Sequence, residues 1–101
     1  MSEVGYAFER VRWIDRRSYI FKEYVRRGGP LGYVSKFLVG EMRYTRLPFI
    51  AWCGAEYAVL EVKDKEGNLY KGEECAKVPV NEIATMQIAR LKRVKFPFTL
   101  K

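Results

Sequence analysis

The chain has 101 residues, of which 49% are hydrophobic and 31% charged, with 19 basic and 12 acidic side chains, no histidine and a net charge of +7. That balance fits one globular domain spanning residues 1–101 and argues against a disordered chain. Without histidine a Ser-His-Asp or Cys-His catalytic set is ruled out in its usual form, and Cys53 and Cys75 alone make no structural zinc site.

No apolar run approaches the roughly 18–20 residues that cross a bilayer. Glu3, Glu9 and Arg10 interrupt any secretory core near the start. The expectation is a cytoplasmic protein with no membrane partner, or one carried in a virion. Glutamine occurs once (Gln87) and asparagine twice (Asn68, Asn81). Few thermolabile amides among many charges suggest a hyperthermophile, archaeal or viral, as the source.

The basic excess favours polyanionic partners. It is concentrated in residues 1–50, which hold ten basic and five acidic side chains; eight of the ten are arginine. Arginine is the better phosphate fork.

From the N-terminus, residues 3–27 read as one long helix. Ala7, Val11, Ile14, Ser18, Phe21 and Val25 follow 4-3-4-3-4 spacing, and Tyr6, Trp13, Ile20 and Tyr24 widen that stripe. Ser2 suits the N-cap, and Gly28 suits the left-handed position after the last turn, with Pro30 blocking continuation. The rival reading makes Val4, Tyr6 and Phe8 a strand and starts the helix near Asp15. The polar face of the helix carries Arg12, Arg16 and Arg27, with Lys22 and Arg26 nearby. Between Glu9 and Arg27, seven bases outnumber three acids. A solvated, ion-paired face explains them; a phosphate-tracking stripe is the functional alternative.

Gly28-Gly29-Pro30-Leu31-Gly32 is a turn cluster and matches no phosphate-loop pattern. Tyr33–Val39 reads as a short strand. Arg43-Tyr44-Thr45-Arg46-Leu47-Pro48-Phe49-Ile50-Ala51-Trp52 interleaves bases with aromatics. In an extended segment Tyr44 and Arg46 share a face, and Pro48 argues for an edge or a bend. Aromatic stacking beside arginines is how sequence-tolerant single-strand binders work. The competing reading packs Tyr44, Phe49 and Trp52 into the core.

Residues 55–62 and 69–71 read as two strands around the charged loop Lys63–Asn68, a β-hairpin with Gly67 at positive φ. Cys53 and Cys75 are expected as reduced, buried thiols. Asn81 suits the N-cap of a last helix with Ile83, Ala84, Gln87, Ile88, Leu91 and Val94 on one face. Phe96-Pro97-Phe98 would fold back or fill a partner's groove.

Together these readings describe an α+β domain. A three- or four-stranded, mainly antiparallel sheet would carry the long N-terminal helix and the C-terminal helix on one face. The expected function is non-enzymatic nucleic-acid binding, DNA or RNA, through backbone contacts and stacked bases with little sequence preference. Arg12, Arg16, Arg27, Arg43, Tyr44 and Arg46 would carry it, with no cofactor, metal or catalytic residue. The alternative is an interaction or assembly module, a homodimer or larger homo-oligomer, using Trp13, Ile20, Tyr24 and the Phe96-Pro97-Phe98 tail. A small nuclease using Glu73 and Glu74 is the weakest reading.

Overall fold

Antiparallel strands, not a small sheet under a long and a short helix, carry most of the chain in the computed structural model. It describes the backbone of residues 4–38 and 43–95 and the side chains of residues 8–33 and 47–92. The elements are β1 (Val4–Asp15), α1 (Tyr19–Arg27), β2 (Gly32–Leu38), β3 (Arg43–Trp52), β4 (Ala55–Asp64), β5 (Leu69–Lys71) and β6 (Ile83–Lys95). Two 3-10 segments, Gly72–Lys77 and Val80–Glu82, connect β5 to β6. The six strands form one antiparallel sheet in the order β1-β6-β4-β3-β2, with β5 pairing on β4. β1 and β2, at opposite ends of that order, come into contact, so the sheet curls.

The expectation of a three- or four-stranded sheet under a long N-terminal helix is therefore corrected. The first half of the proposed helix is β1, and the rival strand reading is the one adopted. Ser18 caps α1 instead of Ser2, its side chain accepting from the Ile20 N–H. The end of the helix falls where the sequence placed it. Gly28 takes φ 76° and its N–H closes the last turn, a geometry that favours glycine.

The proposed C-terminal helix is corrected too. Asn81 lies in the short Val80–Glu82 3-10 segment, and the residues assigned to the helix form β6. β6 is a central strand, flanked by β1 and β4. Ile83, Met86, Ile88, Ala89 and Leu91 are all buried. Met86 and Ile88 belong to the main core and Leu91 to a smaller one, so the buried positions change face between Ile88 and Ala89 and break the simple alternation of a strand buried on one side.

β1 contains a bulge. Glu9 pairs with Arg90 and Arg12 with Ile88, so Arg10 and Val11 stand opposite the single residue Ala89. Arg10 takes φ 53°. The extra residue reverses side-chain parity, as bulges do. It directs Arg12 and Ile14 to the face that α1 covers, because their partners Ile88 and Met86 belong to that core.

The main core lies between the sheet and α1. Ile14, Ile20, Phe21, Tyr24, Ile50, Val59, Val62, Cys75, Ile83, Met86 and Ile88 form one cluster. A smaller cluster of Leu47, Ala58 and Leu91, packed with Phe8, Phe49 and Leu60, draws on alternate positions of the same strands. Ile20 and Tyr24, proposed as a docking flank, are core residues. Burial lifts the Tyr24 phenol to about 12.

The β4–β5 hairpin forms as expected, with Lys63 opposite Leu69 and Gly67 at φ 91°. Asp64 organises its loop, accepting from the backbone N–H groups of Glu66 and Asn68 and from the Tyr70 hydroxyl. β3 is not an edge strand, since β2 and β4 flank it. Its ladder to β4 stops at Phe49–Ala58, one residue short of Pro48. The residue without an N–H sits just past the end of that pairing. The thiols divide: Cys75 is buried and Cys53 exposed. Residues 96–98 lie outside the described residues.

Candidate functional site

The turn from β1 into α1 brings charge and rings together. Asp15 starts it. Its carbonyl accepts from the Ser18 N–H at 3.0 Å, and its Oδ1 accepts from the Arg17 N–H at 2.9 Å. The Arg17 side chain returns to the same carboxylate at 3.0–3.3 Å. Those bonds hold the Asp15 carboxyl below its ordinary range and raise Arg17. Arg17 nonetheless projects into solvent, with 91% of its side chain exposed. An ion pair so open to water is weak and easily exchanged.

Ser18, as the cap, leaves Tyr19 at the first helical position, where it is 68% exposed. Across from it is Trp52, the last residue of β3, next to the turn into β4. Cys53 and Gly54 form that turn at φ 52° and 79°. Positive φ at both central residues is the tight hairpin turn matched to strand twist. The turn sets Trp52 beside Tyr19, with ring planes 4° from parallel and centroids 6.2 Å apart, within the range of offset stacking.

Between these elements lies a groove of about 380 Å³ lined by Arg12, Arg17, Ser18, Tyr19, Ile20, Trp52 and Tyr57. Arg12 reaches it because the bulge turned it to this face. No acidic residue stands in the first turn of α1, so the partial positive charge of the helix start adds to the two guanidiniums. Residues 12–27 hold six bases and two acids, a net +4 out of the chain's +7. One of those acids, Glu23, is 8% exposed and clamped by Arg26 and Arg27 at 2.8–2.9 Å. Hydrogen bonds from Arg26 and then Arg27 hold its carboxyl down to about 2. The groove therefore presents two guanidiniums and three rings, with Asp15 paired to Arg17 and Glu23 held by Arg26 and Arg27.

Of the residues named from sequence, Arg12 lines this groove. Arg16 does not; its Nη2 donates to the carbonyls of Asn81 and Ile83 at 3.1 and 2.9 Å. Its guanidinium also lies over the Phe21 ring at 5.4 Å. Arg27 is held by Glu23 at the far end of α1. Arg43, Tyr44 and Arg46 lie on β3 opposite Leu38, Phe37 and Ser35; their side chains lie outside the described residues. Their backbone stands six to nine residues before Trp52, about 20–30 Å along an extended strand. Arg12 thus lines a groove beside the Trp52 end of β3, and the backbone of Arg43, Tyr44 and Arg46 lies toward the other end of that strand.

Sequence reasoning missed Arg17, Tyr19 and Tyr57, and gave Trp52 no partner. One signal was available: taking Ser18 as a cap instead of a member of the apolar stripe leaves Tyr19 at an exposed first-turn position. Glu73 and Glu74 are exposed in a 3-10 segment, and among the described residues no cluster of three or more potential ligands could hold a metal ion. Among them, too, no helix is long and apolar enough to cross a membrane. No protein-family model, curated protein or solved structure matches this chain.

Proposed function

We propose that this protein binds nucleic acid without catalysing a reaction on it, through the groove between β1, the start of α1 and the β3–β4 turn. One observation carries the reading: Arg12 and Arg17 line the same groove as Tyr19, Trp52 and Tyr57. Guanidiniums match phosphate oxygens, and exposed rings match base faces with little regard for sequence. This site shares Arg12 with the one expected from sequence; Arg17 and the aromatics Tyr19, Trp52 and Tyr57 are new to it.

Fluorescence anisotropy with a labelled oligonucleotide at low and moderate salt tests it. Affinity should fall steeply with salt as phosphate contacts release counterions. Arg12→Ala and Arg17→Ala should each weaken binding, whatever the base sequence. Affinity that does not change with salt would reject phosphate contacts.

A second reading, self-association, rests on β1. This strand ends the sheet order, and Val11 and Trp13 on it are 51% and 45% exposed. Apolar side chains on an edge strand suit pairing with a second copy. Sedimentation velocity decides: a monomer at all concentrations removes this reading, and a dimer that Trp13→Glu dissociates supports it.

A further inference from the structure

The groove has a continuation along α1. Tyr19, Lys22 and Arg26 follow i, i+3, i+7 spacing and so share one helix face. All three are exposed. The Lys22 ammonium lies 5.1 Å from the centre of the Tyr19 ring. Lys22 also lines a second depression, of about 260 Å³, with Arg16, Phe21, Val25 and Arg26. Its floor is apolar, from Phe21 and Val25, and its rim is cationic. The track from Tyr19 to Arg26 rises about 10 Å. At roughly 3.4 Å or more per nucleotide, that is the reach of two or three nucleotides.

We infer, resting on the nucleic-acid reading above, that the strand bound here is single. One unpaired base stacks in the Tyr19–Trp52 groove, the backbone passes Lys22, and the next nucleotide enters the depression between Arg16, Lys22 and Arg26. In a duplex each base face is covered by its neighbours, and exposing one means unstacking it. A ring as open as Tyr19 therefore serves a strand whose bases are already free. The acid on this path, Glu23, is buried under two arginines and offers phosphates little repulsion. The Arg26 guanidinium has five N–H donors, two of which Glu23 occupies. The others can reach phosphate.

The test uses three probes on the full chain: a labelled 12-nucleotide oligothymidylate, the same strand in a duplex, and polyglutamate of similar charge as a competitor. The single strand should bind at least tenfold more tightly than the duplex at equal salt. Tyr19→Ala should cost the single strand about tenfold or more, the effect of losing one stacked base. Tyr19→Phe should restore it, and duplex affinity should not move. In a Trp13→Phe background, emission from Trp52 should quench on binding the single strand. Lys22→Ala should lower the salt slope by about one. Unchanged melting temperatures would show that these exposed positions leave the fold intact.

Equal or tighter duplex binding, with Tyr19→Ala neutral, would overturn the single-strand inference and leave the wider nucleic-acid reading standing. Failure of both DNA forms to bind, or polyglutamate competing as strongly as oligothymidylate, would overturn that wider reading too.

Discussion

Arg16, in the turn before α1, donates to the carbonyl oxygen of Ile83 across 2.9 Å. Ile83 begins the central strand, so this bond ties the entrance of the helix to the entrance of β6. A second bond to Asn81 braces the preceding 3-10 segment. Arg12, four positions earlier, lines the groove instead. The two arginines should therefore separate in stability measurements, although Arg16 also lines the second depression. Arg16→Met should lower unfolding stability by about 1.5 kcal/mol, the low end for bonds to a charged group since one of the two is exposed, read as a lower urea midpoint with an unchanged slope. Arg12→Ala should shift that midpoint by under about 0.5 kcal/mol. It should instead reduce the salt slope of oligonucleotide binding by about one.

Glu23 makes part of the stability depend on acid. Free in the unfolded chain, its carboxyl titrates near 4.5; clamped by Arg26 and Arg27, it titrates at about 2. The folded state therefore gains from the ionised carboxylate above pH 4.5 and loses that gain as pH falls toward 2. Denaturant midpoints of the natural protein and Glu23→Gln, measured from pH 6 down to pH 2, should differ most at the upper end and converge below pH 4.5. A constant gap would show that the clamp contributes nothing through charge.

The two thiols should behave as different reagents. Cys75 is fully buried; its Sγ donates to the carbonyls of Tyr70 at 3.4 Å and Leu60 at 3.7 Å. Burial pushes this thiol up to about 12, so at pH 8 it is neither accessible nor ionised. Cys53 stands exposed at the β3–β4 turn. One equivalent of maleimide should react with the native protein at pH 8, at Cys53, and a second only after denaturation. Because an unfolded thiol ionises near 9 while Cys75 stays neutral in the fold, stability should also decline as pH rises from 9 toward 12. Cys53→Asn should be tolerated or stabilising by a few tenths of a kcal/mol, since asparagine accepts positive φ in this turn.

The parts of this fold legible in sequence are those set by local chemistry. Gly67 between two alternating runs announced the β4–β5 hairpin, and Gly28 before Pro30 announced the end of α1. The long strands were hidden for two separate reasons. In β1 the bulge at Arg10–Val11 breaks the two-residue period, so Val11 and Ile14 joined a false helical stripe with Phe21 and Val25. In β6 the buried positions change face midway, from Met86 and Ile88 to Ala89 and Leu91, so the two-residue alternation shifts phase and its apolar residues fall at helical spacing. The groove was hidden differently. Arg12 was visible as a base, but the meeting of Tyr19 with Trp52 depends on α1 and the β3–β4 turn arriving together, and no spacing within either segment encodes it.

The bulge that directs Arg12 to the groove rests on a backbone angle that arginine does not favour. Arg10 takes φ 53°, in the left-handed region, where a side chain costs on the order of 1–2 kcal/mol that glycine avoids. Glycine loses part of that advantage through its freer unfolded chain. Arg10→Gly should therefore be as stable as the natural protein, or more stable by up to about 1 kcal/mol. Arg10→Val should be destabilised by about 1–3 kcal/mol, because a β-branched residue tolerates positive φ worst. If the bulge also serves the site, Arg10→Gly should retain the Arg12-dependent part of the salt slope. Deleting Val11 closes the bulge with Arg10 opposite Ala89 and leaves Arg12 and Ile14 opposite Ile88 and Met86, so Ile14 should stay in the core, Arg12 in the groove, and the variant should keep its fold and its oligonucleotide binding. A deletion variant that loses its far-ultraviolet signature or its thermal transition would show that β1 does not keep this register against β6.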